Sequence, residues 1–420
     1  MLILVKTPIQ KLEKYKGIIS DSLYREINDL AKDLKDLKVV HINSTPRGGG
    51  VAEVLKSLVP IMKGVAIKAE WYIVPPGRKF FGLTKEIHNA LQGKEVFLSP
   101  DFQKSYQRYT KRFAKLMLDM KADVWIFHDP QPAGIVQFLP DSGFHPIISR
   151  IHIDTSSPNL EAWDFFKRFL AKYDKIIFST KEFVHKDISK EKAVIFPPAI
   201  DPLVEKNMPI SLSSAKEILE SFGINTKKPL ISQISRFDPW KDPIGVIKAY
   251  RLAKKKIPAL QLALAGLFLA HDDPEAMRVF DIVKKETKGD EDIFLFSNPD
   301  QLGSLKVDRF VNAFQQGSDI ILQKSIKEGF GLTVAEAMWK QKPVIGGNVG
   351  GIKLQIKDGQ NGFLVSSSEQ AAERVVELIR DPQLAKKIGK RAKTTVQKKF
   401  LIPRLVRDYL KLFQEVISGR

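Results

Sequence analysis

The chain has 420 residues, a length that suggests two or three domains, each able to bury its own core. With 43% hydrophobic and 27% charged residues, no cysteine and no run of about 18 apolar residues, the composition excludes a disordered chain, disulfides, thiolate catalysis, cysteine-bound zinc and a membrane-spanning helix. The net charge of +19 invites a nucleic-acid reading, yet basic residues are interleaved with acids along the whole chain, as in Lys181 to Lys192, so a solubilising surface with a phosphate-friendly cleft is the better expectation.

Taken in order, Met1 to Val5 is apolar but is ended by Lys6 and Pro8. That is too short for the apolar region of a signal peptide, so a cytoplasmic protein is expected. Residues 1 to 36 read as an added segment with one amphipathic helix. Strands are then expected at Val39–Asn43, Trp71–Val74, Val124–His128, Ile147–His152, Lys175–Ser179 and Val194–Phe196. Helices are expected between them at Ala52–Lys63, Lys104–Met120, Leu160–Lys172 and Lys181–His185. Phe196-Pro-Pro-Ala-Ile-Asp-Pro202 closes this half, because clustered prolines continue neither element. A second alternation follows, with strands at Leu230–Ile234, Leu262–Ala265, Ile293–Phe296, Ile320–Gln323, Val344–Ile345 and Phe363–Val365. The class is α/β: two Rossmann-like domains, residues 1–205 and 206–395, facing across a cleft, with a last segment, 396–420, that crosses back to the first domain.

Candidate chemistry sits where strands give way to helices, the place at which open α/β sheets bind ligands. Glu328-Gly-Phe-Gly-Leu-Thr-Val-Ala-Glu336 sets two carboxylates about a glycine turn that opens a helix. The helix start suits a phosphate, and a carboxylate beside it can accept from vicinal hydroxyls. Thr333 and Glu336 equally fit a capping box, and Glu336 with Lys340 an i,i+4 pair. Arg236 and Lys241, just after a strand, could stabilise charge on a departing diphosphate; together these features read as a nucleotide-sugar site. Gly48-Gly49-Gly50 lets backbone N–H groups approach a ligand, or merely forms a tight turn. It is not the dinucleotide fingerprint, so NAD and FAD are discounted and no cofactor is expected. His128 and His152 end predicted strands, where a lone histidine is more often a packed residue than a catalyst. The seven scattered histidines include no His-x-x-x-His pair, and His271-Asp272-Asp273-Pro274 reads as a helix cap, so no metal is expected.

These motifs resemble the retaining glycosyltransferases of GT-B fold and glycogen-synthase-like type, whose signature of an Arg/Lys pair followed by Glu-x7-Glu is met by Arg236, Lys241, Glu328 and Glu336. Gly350-Gly351-Ile352 and Asp358-Gly-Gln-Asn-Gly362-Phe-Leu-Val365 match as well. The amino-terminal half resembles one branch more closely, the trehalose glycosyltransferring synthases and trehalose phosphorylases. The segments that carry this are Arg47-Gly-Gly-Gly-Val-Ala-Glu53, residues Phe80 to Gly93, His128-Asp-Pro-Gln-Pro132 and Arg150-Ile-His-Ile-Asp154.

The resemblance implies that Arg236 and Lys241 hold the diphosphate, Glu328 the donor-sugar hydroxyls and Glu336 the ribose. Gly329, Phe330, Gly331, Leu332 and Thr333 would offer backbone N–H groups, with Gly49 and Gly50 in a loop that closes over the sugars. It places His152 at the donor sugar, Asp129 and Asp154 near the acceptor, and Asn298 near the base. The family is generally thought to use no protein nucleophile, and GT-B enzymes do not usually need a metal for catalysis. The implied activity is retaining transfer of glucose from UDP-, ADP- or GDP-glucose to free glucose, giving α,α-trehalose. The alternatives are a trehalose phosphorylase and, in another class, a non-catalytic nucleic-acid-binding protein. No nucleic acid and no membrane are expected as partners; a homodimer is compatible with the amino-terminal segment.

Overall fold

The computed structural model describes residues 2–75, 77–266 and 274–418. The chain divides into two compact units, Met1–Ala199 with Leu401–Arg420, and Ile200–Phe400.

In the first unit the described strands are β1 (Ile3–Leu4), β2 (Lys38–Asn43), β3 (Lys68–Ile73), β4 (Val124–His128), β5 (Ile147–Arg150), β6 (Lys175–Phe178) and β7 (Ala193–Ile195). They lie in the order β1-β3-β2-β4-β5-β6-β7, parallel except for β1 against β3. The helices are α1 (Asp21–Asp33), α2 (Gly50–Gly64), α3 (Arg78–Leu91), α4 (Pro100–Lys115), α5 (Pro130–Ala133) and α6 (Leu160–Leu170). Strands β4 and β5 are buried at every position, as a parallel sheet covered on both faces requires. Ser20, Ser99 and Asn159 start α1, α4 and α6 by accepting from first-turn amides. Strand order reverses between β2 and β4, which makes their carboxyl ends the switch point of this sheet.

The second unit contains α7 (Leu212–Ser221), β8 (Leu230–Ile234), α8 (Pro243–Lys254), β9 (Gln261–Ala265), α9 (Pro274–Glu286), β10 (Ile293–Phe296), α10 (Val307–Gly317) and β11 (Ile320–Gln323). It continues through α11 (Leu332–Trp339), β12 (Val344–Gly347), α12 (Gly350–Gln355), β13 (Phe363–Val365), α13 (Ser368–Arg380) and α14 (Pro382–Lys399). The strands run parallel in the order β10-β9-β8-β11-β12-β13, with the reversal between β8 and β11.

The last helix, α15 (Ile402–Ser418), packs on α1 and α2 of the first unit. Its buried Arg404 donates to the carbonyls of Pro197 (2.9 Å) and Pro198 (2.8 Å), and Lys411 reaches Glu26 on α1 at 2.6 Å. The prolyl segment thus has its carbonyls satisfied by a side chain rather than by a strand. The amino-terminal segment acquires a place by the same contacts: β1 edges the sheet, and α1 buries Ile27 and Ala31 and meets α15. Residues 200–205 go with the second unit, where Ile200 N donates to Phe400 O at 2.8 Å and Asn312 donates to Glu205 O at 2.8 Å. Helix α14 stays with that unit to its end, so the returning segment begins at Leu401 rather than 396.

Several expected elements end earlier than the sequence suggests: α4 stops at Lys115 rather than Met120 and α6 at Leu170 rather than Lys172, and two others are shortened by side-chain contacts. The strand expected over Ile147–His152 stops at Arg150, because the His152 amide donates to the Asp129 carboxylate (2.7 Å) instead of to a neighbouring strand. The helix expected over Lys181–His185 is a single 3-10 turn, Lys181–Phe183, whose Phe183 carbonyl accepts from Thr155 Oγ1 at 2.6 Å. Helix α3, not anticipated as an element, occupies most of the Phe80–Gly93 segment.

Candidate active site

In the second unit, the loops after β8 and β11 meet at the switch point. Gln233 Nε2, near the end of β8, donates to the Lys241 carbonyl (2.7 Å), and Ile326 N donates to the Trp240 carbonyl (2.9 Å), which ties the two loops together. Asp242 adopts a left-handed conformation (φ 48°), caps α8 through Gly245 N at 3.0 Å and pairs with Lys324. That geometry sends Lys241 to Glu328, Nζ to Oε2 at 2.6 Å, and Ser325 Oγ donates to the same oxygen at 3.2 Å. Arg236 is half exposed and reaches Asp238 at 3.3 Å.

Glycines let the next segment pack backbone against backbone. A Cβ on Gly351 would stand 2.2 Å from Phe330 Cα, and one on Gly347 would overlap the Ser325 carbonyl. Gly351 N donates to Glu328 O (2.9 Å), while Gln355 Nε2 donates to the carbonyls of Phe330 (2.5 Å) and Gly331 (3.2 Å). The Phe330 ring is buried against Phe400, so this residue and Gly329 present main chain rather than side chain. Gly331, left-handed at φ 84°, is the N-cap of α11 and supplies no side-chain cap, so Leu332 and Thr333 open a helix whose first amides find no acceptor among the described residues.

The capping box considered for Thr333 and Glu336 is not formed, because the glycine cap starts the helix one residue before Thr333 could cap it. Glu336, only 4% exposed, receives Lys206 at 2.8 Å and Gln315 Nε2 at 3.3 Å. Lys340, one turn on, reaches the Glu336 backbone carbonyl at 3.5 Å and the side-chain oxygens of Gln315 (2.9 Å) and Asn207 (3.2 Å). Burial pushes the Lys340 ammonium down to about 7, against the pull of Glu336. Asn298 caps the short turn after β10 in a capping box with Gln301, so its side chain serves a structural bond. His271, Asp272 and Asp273 lie outside the described residues.

In the first unit, Asn43 ends β2, is held by Trp71 Nε1 (2.7 Å) and donates to Thr45 O (2.8 Å), which sets the turn leading to the glycines. Gly48 is left-handed (φ 81°); Gly49, at φ −148°, is the N-cap of α2, and Gly50 is its first residue. A side chain on Gly49 would meet no atom of the described residues within 4 Å, so its glycine answers no steric need among them.

At the neighbouring strand ends, Asp129 is left-handed (φ 62°) and Arg150 is buried with its guanidinium on the Phe196 carbonyl (2.8 Å). Burial raises the Asp129 carboxyl to about 7, opposed by the His152 amide and the Arg150 charge. Asp154 accepts from Ser156 N (3.0 Å) and Oγ (2.6 Å). His152 Nε2 lies 2.9 Å from His128 Nδ1, and His128 Nε2 lies 3.0 Å from Nδ1 of His41, a residue that sequence reasoning missed. Its only signal was a polar side chain in the apolar run Val39-Val40-His41-Ile42. The fold thus gathers Lys241, Glu328 and Gly329 to Thr333 in one unit, and Gly49, Asp129, His152 and Asp154 at strand ends of the other. Glu336 is held by Lys206 and Gln315 from elsewhere in the same unit, and Asn298 by its own turn. Sequence reasoning also missed Ser325, Lys206 and Gln315, ordinary polar residues without a motif.

Two Rossmann-like sheets with cations and a carboxylate at a switch point define a glycosyltransferase of GT-B fold; residues 214–395 match the family Glycosyl transferases group 1, and residues 41–185 match Trehalose synthase, N-terminal domain. The chain is 46% identical over 404 residues to the trehalose synthase of Thermococcus litoralis, spanning 96% of each protein. It belongs to the trehalose synthase family. The trehalose phosphorylase of Grifola frondosa is 28% identical over 442 residues, covering 92% of this chain and 58% of the phosphorylase. Among solved structures, sucrose-phosphate synthase from Thermosynechococcus elongatus superposes with a TM-score of 0.70 at 16% identity, over 91% of this chain and 100% of that one. Anabaena HepE in complex with UDP-glucose gives 0.67 at 18% identity, over 91% and 100%. No helix among the described residues is long and apolar enough to cross a membrane.

Proposed function

We propose that this glycosyltransferase moves glucose from a nucleoside diphosphate to the anomeric hydroxyl of free glucose with retention, forming α,α-trehalose. The observation that supports this most is the Lys241–Glu328 pair beside the uncapped start of α11, which puts a cation, a carboxylate and free amides at one switch point. The ammonium and Arg236 would neutralise the departing diphosphate as it gains charge, and the amides of Leu332 and Thr333 would hold its oxygens. Glu328 would take the donor-sugar hydroxyls and Glu336 the ribose, through lone pairs not used by Lys206 and Gln315. Asn298 would lie near the base. His152 would contact the donor sugar, Gly49 and Gly50 would approach it with backbone, and Asp129 and Asp154 would receive the acceptor. The catalytic effect comes from positioning and leaving-group stabilisation.

The acceptor is read as the neutral sugar, because no basic cluster beyond Arg47 accompanies the glycine loop. The chain aligns with the synthase over nearly its whole length at 46% identity and with the phosphorylase at 28%, which favours the synthase reading over the phosphorylase. The product bond is activated at both anomeric carbons, so the reaction is expected to run in both directions. The test is incubation with glucose and each of UDP-, ADP- and GDP-glucose, followed by anomeric proton NMR. Equal appearance of α,α-trehalose and nucleoside diphosphate, with chelator present, is expected. A β-anomeric product would overturn retention, a requirement for glucose 6-phosphate would overturn the acceptor, and dependence on inorganic phosphate would make the enzyme a phosphorylase.

A further inference from the structure

Three imidazoles from neighbouring strands form one hydrogen-bonded file. His41 lies in β2, His128 ends the adjacent β4, and His152 follows β5, the next strand over. Consecutive rings are nearly parallel, with centroids 5.3 Å apart and interplanar angles of 25° and 24°. The contacts run His41 Nδ1 to His128 Nε2 and His128 Nδ1 to His152 Nε2.

A neutral imidazole has one N–H and one bare nitrogen, and each contact needs one of each. Only two proton orders satisfy both contacts: every ring protonated at Nδ1, or every ring at Nε2. Any mixed order sets N–H against N–H or lone pair against lone pair. A cationic ring would break this rule, but burial holds all three well below the ordinary histidine range, His41 down to about 3.

The two orders differ at the ends of the file. His152 is partly exposed, and its Nδ1 makes no hydrogen bond to the described residues, so either form can be met there by water or ligand. His41 Nε2, at the other end, is buried without a partner among the described residues. Protonation at Nε2 would strand an N–H there, and orphaned buried donors are the rarer defect. The Arg150 charge further disfavours a cationic ring at His128 or His152, which keeps both neutral.

We infer that His41 and His128 are positioning residues whose Nδ1 protons fix His152 as a hydrogen-bond donor through its own Nδ1, aimed at a sugar hydroxyl oxygen. The identity of that ligand rests on the proposed function; the proton order does not.

Nitrogen NMR of the full chain with 15N-labelled histidine, assigned by single replacements among the seven histidines, reads the order directly. Three Nδ1-protonated neutral rings at pH 7, still neutral at pH 5.5, are expected. Nε2-protonated rings, or a cation among the three at pH 7, would overturn the inference. A second arm compares His41→Phe, which keeps ring size but has no donor, with His41→Asn, whose amide can donate toward His128. The phenylalanine variant should lower kcat/KM by about tenfold, the scale of one lost hydrogen bond, and the asparagine variant should recover most of that. Equal impairment of the two variants, at equal melting temperature, would refute positioning. If no nucleotide-glucose yields a disaccharide, the proposed function fails, while the nitrogen spectra still decide the proton order.

Discussion

Separate replacement of Arg236 and Lys241 by alanine distinguishes a charge that serves the reaction from one that also holds the fold. The Arg236 side chain is 51% exposed and meets Asp238 at 3.3 Å, so its loss should cost about 0–1 kcal/mol of stability. Lys241 is 18% and Glu328 10% exposed, with a 2.6 Å contact, so removing the lysine leaves a carboxylate largely out of water with Ser325 Oγ as its remaining side-chain donor among the described residues. Breaking a fully buried pair costs about 3–5 kcal/mol; discounted for the residual exposure, about 2–3 kcal/mol is expected here. In a unit of this size that lowers Tm by roughly 4–12 °C, against no more than about 4 °C for Arg236→Ala. Turnover should fall on the order of a hundredfold in both, because each removes a donor that strengthens as the leaving group gains charge. Adding Glu328→Gln to Lys241→Ala removes the stranded charge and should restore most of the lost Tm without restoring turnover. The measurements are thermal melts and initial rates of nucleoside diphosphate release. Near-normal turnover in either alanine variant, or recovery of turnover together with Tm in the double variant, would refute the reasoning.

Glu336→Gln should raise the nucleotide-glucose KM severalfold and also lower Tm by a few degrees, since Lys206 loses its ion pair; early melting with an unchanged donor KM would show that the carboxylate serves only the fold. Gly351→Ala places a methyl against the Phe330 backbone and should sharply lower the yield of folded protein, whereas Gly49→Ala should melt as the parent does and raise the substrate KM; the two are compared by melts and by steady-state kinetics. Stability in urea should climb as pH rises from about 4 to 6.5. His41, ordinarily near 6.5 and held near 3 in the fold, contributes on the order of 5 kcal/mol above 6.5 that is lost as pH falls toward 3. Asp129, raised from 3.8 to about 7, works in the opposite sense, losing stability as pH rises through that window, but it is one group against three depressed histidines. A urea midpoint that is flat or falling with pH across 4 to 6.5 would contradict the neutral histidine file.

What the sequence made legible was what local pattern encodes. Apolar runs such as Leu230–Ile234 and Ile320–Gln323 read as buried parallel strands because both faces of such a strand are covered, and Glu328 through Thr333 read as a loop into a helix because glycines punctuate it. What stayed hidden depends on partners far along the chain. Lys206 and Glu336 lie 130 positions apart, and neither has a pattern that predicts the other. The two-residue strand β1 has too little sequence to show a period, and its existence depends on β3, some 70 residues away.

Local signals also competed with one another at the two strand ends that matter most. Thr333-Val-Ala-Glu336 is a sound capping box in isolation, but Gly331 can adopt the left-handed conformation at no steric cost and starts the helix first, which frees the Glu336 side chain for Lys206. At His152 the reverse happened. The apolar run through Ile151 invited a longer strand, and the Asp129 carboxylate took the His152 amide, ending the strand two residues early. Both outcomes turn a residue that local rules assign to regular structure into one whose side chain is held by tertiary partners. Glu336, His152 and Asp129, three of the residues proposed to meet substrate, are therefore positioned by contacts that no single stretch of the sequence contains.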